Sequence, residues 1–274
     1  MKRPTIIVVV ILIALVMAAF DCRMSVREYD VDAAEISESV RIALVTDLHS
    51  CRYGENQETL IDAVCAQNPD LILLGGDIFD DDIEDTNAEL FLSGVAGRYP
   101  CYYVTGNHEY WSGAEKYAQK MEILRKCNVR FLSGECEALQ VRGETINLCG
   151  VDDPDAFQFA QGESTFQKQI NAFNEAVQNG NFTILLSHRP EYWEVYQKYD
   201  FDLVLCGHAH GGQWRIPGVL NGLFAPNQGL FPEYAGGRYD QDGRTMIVSR
   251  GLARESTRVP RIFNRPELVM IDIY

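Results

Sequence analysis

All five histidines of the chain lie just past short apolar segments: His49, His108, His188, His208 and His210. A single histidine is more often a core or surface residue than a metal ligand. Five histidines at equivalent positions are hard to attribute to chance. The pattern therefore favours a metal site over five unrelated side chains.

Oxygen ligands accompany these histidines. Asp47 and His49 are two positions apart, a spacing that places both side chains on one face of an extended chain. His208 and His210 repeat this spacing. Glycines allow close backbone approach just before the two remaining candidates, Asp77 and Asn107.

The mixture of ligand types indicates which metals the site would bind. It requires no cysteine, unlike a structural zinc site, which prefers a closed Cys/His tetrahedron. Carboxylate, amide and imidazole ligands suit Mn²⁺, Fe²⁺ or Zn²⁺. Seven ligands exceed the needs of one catalytic ion with open positions, so we expect two divalent metal ions that share a carboxylate. Such a pair stabilises the attacking and leaving oxygens of phosphoryl transfer.

Short apolar segments must position these ligands. Five of them each precede a candidate group: residues 42–45, 71–74, 102–104, 184–186 and 203–205. Continuous Ile, Val and Leu runs of this length are typical of strands buried on both faces. Amphipathic helical segments separate them, over residues 55–67, 113–127 and 162–178. The alternation predicts an α/β fold, in which ligands bind beyond the carboxyl ends of the strands.

Over residues 41–212, the candidate groups resemble the five blocks of the calcineurin-like metallophosphoesterases, in order. The blocks read Asp47-Leu48-His49, Gly76-Asp77, Gly106-Asn107-His108-Glu109, Ser187-His188 and Gly207-His208-Ala209-His210. Each block alone is common, whereas five in this order at strand ends are specific. The resemblance implies a four-layer αββα sandwich with two mixed β-sheets, preceded here by an N-terminal apolar helix.

The resemblance also implies how the ligands divide between two ions. The first ion would be bound by Asp47, His49 and His210, and the second by Asn107, His188 and His208. Asp77 would bridge both ions. A hydroxide shared by the two ions would be the nucleophile.

The same resemblance leaves His108 beside the leaving group, as the catalytic general acid or an electrostatic stabiliser. Asp80 would hydrogen-bond a ligating histidine. For Asp81 and Asp82 we prefer a solvated acidic turn.

Later segments are similar to the YaeI/YkuE-like membrane-associated branch of the family, namely HAHGGQWRIP at residues 208–217 and VSRGLA at residues 248–253. That branch implies hydrolysis of a phosphodiester or pyrophosphate, with UDP-2,3-diacylglucosamine-type lipids among the substrates. The alternative within the superfamily is a cyclic-nucleotide phosphodiesterase or nuclease. A non-catalytic surface binding protein should have lost ligands, and no ligand position is missing here.

Charge is distributed unevenly. The chain carries a net charge of −15, which disfavours binding to long nucleic acid. Residues 207–265 nevertheless hold eight arginines and four acids. They form either a solvated arginine-rich face or an anion-binding rim, because the arginine fork matches phosphate. Candidate substrate-binding residues are Gln213, Arg215, Arg250 and Arg254.

The N-terminus suggests a membrane partner. Lys2 and Arg3 precede an apolar run over residues 6–20, which predicts a signal anchor. We therefore expect a single-pass cell-membrane protein with its catalytic domain outside the cytoplasm, acting as a monomer on a small phosphoester or lipid. The expected division is a signal anchor or transmembrane segment over residues 1–22, a linker over 23–40 and a metallophosphoesterase domain over 41–274. The eight cysteines include no CxxC pair and are expected to be buried free thiols.

Overall fold

The computed structural model describes residues 3–158, 165–173, 177–257 and 259–274. In these residues, two six-stranded mixed β-sheets pack face to face. Helices cover the outer face of each sheet. The predicted α/β class and the αββα layering are confirmed.

The first sheet has its strands in the order β1 (Ser25–Val31), β14 (Glu267–Ile273), β2 (Val40–Val45), β3 (Leu71–Gly75), β4 (Cys101–Val104) and β5 (Arg130–Phe131). From β2 to β5 all neighbours are parallel. β14 runs antiparallel to β2 and parallel to β1. The outer face of this sheet carries α2 (Glu58–Ala66), α3 (Thr86–Ala96) and α5 (Ala114–Lys126).

The second sheet has its strands in the order β12 (Gly237–Gln241), β13 (Arg244–Val248), β9 (Leu203–Cys206), β8 (Phe182–Leu186), β7 (Glu144–Gly150) and β6 (Glu135–Val141). Its four central strands are parallel and its two edge strands antiparallel to their neighbours. α6 (Thr165–Ala172) and α7 (Trp193–Tyr196) cover its outer face. The remaining parts of the predicted helix at residues 162–164 and 174–176 lie outside the described residues.

Burial on both faces explains the continuous apolar runs. In β2, Ile42 and Leu44 point between the sheets, whereas Ala43 and Val45 point toward the helices. Successive side chains of a strand leave opposite faces, so a strand with two buried faces needs an apolar residue at every position. The carboxyl ends of the parallel strands meet at one edge of the sandwich.

The predicted signal anchor is wrong. The N-terminal residues form α1 (Arg3–Ala19), a helix of 17 residues that is about 26 Å long. The hydrocarbon core of a bilayer is about 30 Å thick. Among the described residues, no helix is long and apolar enough to cross a membrane.

Two further expectations differ from the structure. Residues 25–31, assigned to the linker over residues 23–40, form the edge strand β1. This strand is mostly exposed and polar, so it lacks the apolar run by which the other strands were recognised. The expectation of free thiols fails for Cys136 and Cys149, which face each other across β6 and β7 and form a disulfide. Sequence alone does not reveal that strand register.

Candidate metal centre

Loops at the carboxyl ends of five strands bring the predicted ligands together. Asp47 and His49 follow β2, and Asp77 follows β3. The helix α4 (Asn107–Trp111) begins three residues after β4 and carries Asn107 and His108. The other histidines follow β8 and β9: His188, His208 and His210.

Backbone strain is concentrated in these loops. Five candidate ligands have a positive φ angle, between 47° and 65°: Asp47, His49, Asp77, His208 and His210. Residues other than glycine rarely adopt this region, and such strain tends to occur at functional sites. Close packing of the loops is the other constraint, since a Cβ on Gly106 would lie 2.2 Å from Asp77 Oδ1. The loops are therefore built around the positions of these side chains.

Four overlapping groups of possible ligand atoms occur among the described residues. Two of them include His108, one with His49 and Asp77 and the other with Asp80 and Asp81. The other two consist only of predicted metal ligands. In the first, the ligand atoms of Asp47, His49 and His210 all lie within 4.8 Å of one another. In the second, the same holds for Asp77, His188 and His208. These two groups bring six of the predicted ligands close together, and the division of the ligands between two ions stays a prediction.

Asp77 lies between the two groups. Its Oδ2 is 3.0 Å from His188 Nε2 and 3.7 Å from His49 Nε2. One carboxylate oxygen therefore faces a histidine of each group, which is the position that a bridging ligand requires. The other oxygen, Oδ1, accepts a hydrogen bond from the backbone N–H of His108.

Hydrogen bonds orient the histidine rings toward this carboxylate. His49 Nδ1 donates to Asp80 Oδ2 at 3.0 Å, and His188 Nδ1 donates to the Gly75 carbonyl at 2.8 Å. In both rings Nε2 is then directed toward Asp77. Asp80 thus contacts a candidate ligand histidine, as expected from the sequence.

Buried atoms without partners test whether the residues fit a metal pair. Four side-chain atoms of the cluster lack a hydrogen-bond partner among the described residues: Asp47 Oδ2, His49 Nε2, Asn107 Oδ1 and His210 Nδ1. An unsatisfied buried polar atom costs about 1–3 kcal/mol, and native structures contain few of them. All four belong to predicted ligands, so this donor set fits two divalent cations.

The electrostatics of the cluster are those of closely spaced opposite charges. Burial lowers the pKa of His188, but the nearby carboxylates of Asp77 and Asp47 outweigh burial and raise this pKa to about 10. Burial holds the pKa values of His208 and His210 well below the usual range, with His188 and His49 as further causes. These two rings are therefore neutral and able to coordinate a cation.

His108 occupies the mouth of the cluster. Its side chain is 24% exposed, whereas the other four histidines are at most 10% exposed. Its Nδ1 lies 2.5 Å from Asp81 Oδ1. Its ring centroid lies 4.8 Å from that of Trp111, a residue whose Nε1 donates to Asp155 Oδ2. The interpretation of Asp81 as part of a solvated turn therefore needs correction, because its carboxylate contacts this histidine.

Glu109 was not assigned a role from the sequence, although it belongs to one of the five blocks. Its carboxylate is fully buried and accepts backbone N–H groups from Asp77, Phe79 and Gly106 at 2.7–3.1 Å. It therefore ties the loop after β3 to the loop after β4. Burial and the charge of Asp77 raise the pKa of Glu109 to about 7.

Two of the four candidate substrate-binding residues are held by partners within the fold. Arg250 is buried, and its Nη1 lies 2.7 Å from Glu267 Oε2. Arg215 donates to the side chain and carbonyl of Asn221. Both guanidinium groups thus have partners within the fold, and we no longer propose that Arg250 binds substrate.

Two of these residues stay candidates. Arg254 lies over the Tyr53 ring at 4.9 Å, and its side chain is 36% exposed. Its backbone N–H contacts Cys51 Sγ, just after the loop of His49. Gln213 Oε1 is buried without a partner among the described residues. Arg258, part of the arginine-rich segment, lies outside the described residues.

Comparison with known proteins shows which family the chain matches. Residues 40–212 match the sequence profile of the calcineurin-like phosphoesterases. An uncharacterised metallophosphoesterase of Helicobacter pylori is 31% identical over 195 residues, which cover 70% of this chain and 50% of that protein. Phosphodiesterase YaeI of Escherichia coli is 29% identical over 238 residues, covering 85% and 82%. The alignment thus spans about half of the Helicobacter pylori relative.

Solved structures show the same fold at low sequence identity. A 5′-nucleotidase precursor from Thermus thermophilus superposes with a TM-score of 0.54 at 17% identity, over 79% of this chain and 50% of that one. The NAD nucleotidase of Haemophilus influenzae gives a TM-score of 0.53 at 17% identity, over 79% and 46%. At such identity the likeness concerns the fold alone.

Proposed function

This chain belongs to the calcineurin-like phosphoesterase family, and from that premise we propose that it hydrolyses a phosphodiester or pyrophosphate with two divalent metal ions. The observation that carries the proposal is the position of Asp77 between two groups of buried ligand atoms. The relative YaeI is itself named a phosphodiesterase, which supports the same class of reaction.

Seven residues would hold the ions: Asp47, His49, Asp77, Asn107, His188, His208 and His210. Mn²⁺, Fe²⁺ or Zn²⁺ would suit these oxygen and nitrogen donors. When bound, such a pair supplies a nucleophile from water at neutral pH and positive charge beside the phosphoryl oxygens.

His108 is proposed to protonate the leaving group. Asp81 Oδ1 lies 2.5 Å from Nδ1, so Nδ1–H would donate to this carboxylate and Nε2 would carry the proton for the leaving oxygen. Nε2–H can then give its proton to the leaving oxygen, and the hydrogen bond to the Asp81 carboxylate holds the ring in place for that transfer. This is general acid catalysis by a positioned histidine.

The substrate is proposed to be lipid-linked or nucleotide-linked, of the UDP-2,3-diacylglucosamine type. Exposed apolar side chains follow the loop of His208 and His210, with Trp214 40% and Ile216 53% exposed. Trp111, 51% exposed beside His108, offers a flat surface for a planar leaving group. The proposal no longer includes a membrane anchor.

A cyclic-nucleotide phosphodiesterase is the second candidate, and the exposed Trp111 ring supports it as well as the first. Stacking on an aromatic ring suits the base of a cyclic nucleotide as well as the uracil of a UDP-linked substrate. The two candidates differ in whether the apolar residues after His210 take part.

The test is hydrolysis by the full chain after loading with Mn²⁺. Bis-p-nitrophenyl phosphate reports the basic activity, and UDP-2,3-diacylglucosamine, nucleotide sugars and cyclic nucleotides report the substrate. Asp77→Asn is the matched control. We expect turnover that depends on added metal and is lost in the control. No turnover of any phosphoester by metal-loaded protein would contradict the proposal.

A further inference from the structure

The ring of His208 lies between the metal centre and a polar network that consists of Asn227, Arg189 and Asp153. On the inner side, Nδ1 is 3.2 Å from His188 Nε2. On the outer side, Nε2 is 2.9 Å from Asn227 Oδ1. A neutral imidazole carries a proton on one nitrogen and a lone pair on the other. Whichever nitrogen carries the proton therefore decides whether the inner side can coordinate a cation.

A hairpin brings Asn227 to this ring. The residue lies in the turn between two short strands, β10 (Phe224–Ala225) and β11 (Gly229–Leu230), and its φ is +60°. Asparagine adopts this left-handed conformation more readily than most residues. The turn thus favours asparagine for backbone reasons, but those reasons do not explain where its side chain points.

Arg189 determines which way the Asn227 amide faces. Oxygen and nitrogen of an amide have nearly the same shape, so the hydrogen-bond partners must tell them apart. Nη1 of Arg189 lies 2.8 Å from the Asn227 side-chain atom that faces His208. A guanidinium group can only donate hydrogen bonds, so that atom must be the oxygen.

The guanidinium group is itself fixed in place. Arg189 Nε lies 2.5 Å from Asp153 Oδ2, and Nη2 lies 2.8 Å from Asp153 Oδ1. Both side chains are almost fully buried, at 4% and 0% exposure. A two-point ion pair of this kind fixes orientation as well as position. Arg189 therefore keeps one N–H directed at Asn227.

We infer that Arg189, acting through Asn227, holds His208 as the tautomer that is protonated at Nε2, and so directs the Nδ1 lone pair at the metal centre. The Asn227 oxygen already accepts from Arg189 and has room for a second donor, which is the His208 Nε2–H. Arg189 Nη1 also lies 3.4 Å from His208 Nε2. This contact is longer than the 2.9 Å between His208 Nε2 and Asn227 Oδ1, so Asn227 is the partner of Nε2. Both residues are positioning residues, and the inference rests on the proposed metal centre.

Two substitutions separate this role from a structural one. Asn227→Gly removes the amide while the left-handed backbone stays allowed, because glycine adopts positive φ freely. Asn227→Asp keeps an oxygen acceptor at the same place. Gln228→Ala is the matched control, since Gln228 holds the same hairpin through Tyr234 rather than through His208.

The readouts are metal affinity and ring tautomer in the full chain. Titration of metal-free protein with Mn²⁺ is expected to show two ions bound by the wild type, Asn227→Asp and Gln228→Ala. In Asn227→Gly, affinity for one ion should fall about 10–100-fold, the usual effect of losing a residue that orients a ligand. Nitrogen-15 spectra of the metal-free wild type should show His208 protonated at Nε2.

Unchanged affinity for both ions in Asn227→Gly would overturn the inference and leave the proposed function intact. So would a wild-type His208 that is protonated at Nδ1. A wild-type chain that binds fewer than two ions would overturn the metal centre and this inference together.

Discussion

Asp81 Oδ1 lies 2.5 Å from Nδ1 of His108, the partly exposed histidine at the mouth of the metal centre. This contact fixes the orientation of the histidine ring. Asp81→Asn keeps the shape but removes the charge. We expect kcat to fall roughly 10–100-fold, part of the 10²–10⁴-fold that a general acid contributes.

The dependence on the leaving group distinguishes this role from a general loss of structure. A p-nitrophenolate leaves without much help from an acid, so its hydrolysis should fall less than that of an alkyl phosphodiester. Asp82→Asn changes the next residue and serves as the control. Equal losses for both leaving groups would refute the role of Asp81.

Asp77→Asn tests the bridging position. The substitution keeps the size of the side chain but removes the negative charge between His49 and His188. We expect kcat/KM to fall by about 10³-fold or more, which corresponds to about 4 kcal/mol of transition-state stabilisation. Metal analysis of the purified variant should find fewer than two ions per chain. A variant with two ions and wild-type turnover would contradict the assignment.

Metal removal should lower thermal stability. Ions that bind only the folded state add about 2.7 kcal/mol to the free energy of unfolding at a concentration 100-fold above Kd. For a chain of this size, at about 2 °C per kcal/mol, that corresponds to roughly 5 °C in Tm. Thermal unfolding with Mn²⁺ and with a chelator measures the difference. The Tm of Asp77→Asn should respond less, and an equal response would count against the site.

Glu109 should make the metal-free protein less stable as the pH rises. Burial and the charge of Asp77 raise its folded-state pKa to about 7, above its unfolded value near 4.5. Between these values the folded state holds a proton that the unfolded state has released. The unfolding free energy should therefore fall as pH increases from about 4.5 to 7, by on the order of 1–3 kcal/mol.

Glu109→Gln removes this titration. Its unfolding free energy, measured with denaturant in the presence of a chelator, should change less over the same pH range than that of the wild type. The variant is also expected to be less stable throughout, because its amide NH₂ would meet a backbone N–H. Parallel pH curves for the two proteins would show that Glu109 does not titrate in this range.

Two arginines of the same segment should behave differently. Arg250→Met leaves the buried carboxylate of Glu267 without its partner and should cost about 3–5 kcal/mol of unfolding free energy. The more exposed Arg254→Met should raise KM for an anionic phosphoester several-fold with little loss of stability. Denaturant unfolding and steady-state kinetics at a temperature where both variants are folded give the comparison. Unchanged KM in Arg254→Met would indicate a solvated arginine.

Much of the centre could be predicted because its ligands follow buried strands. Residues such as Asp77 come directly after continuous apolar runs, and parallel strands end at one edge of a sheet. Apolar runs in the sequence therefore identify the buried strands, and the candidate ligands are the polar residues that follow these strands. The division of the ligands between two ions came from the family resemblance, and it stays a prediction.

Contacts that depend on tertiary geometry could not be predicted. In the sequence, Asp81 is one of several consecutive acidic residues in a turn. Only the folded structure shows that Asp81, rather than Asp82, contacts His108. Asn227 belongs to a glycine- and proline-spaced segment with no periodicity, and the hairpin that carries it to His208 is short. The edge strand β1 is polar because one side faces solvent, so it has no apolar signature.

β14 lies between β1 and β2, and this order has a consequence for folding. Ile273 pairs with Val40, across more than two hundred residues of chain. Pairing between such distant residues slows folding, because the intervening chain must be ordered first. Until β14 docks, one edge of β2 exposes unpaired backbone groups that can pair with another chain. Refolding from denaturant should therefore be slow, and its yield should fall with increasing protein concentration as aggregation competes.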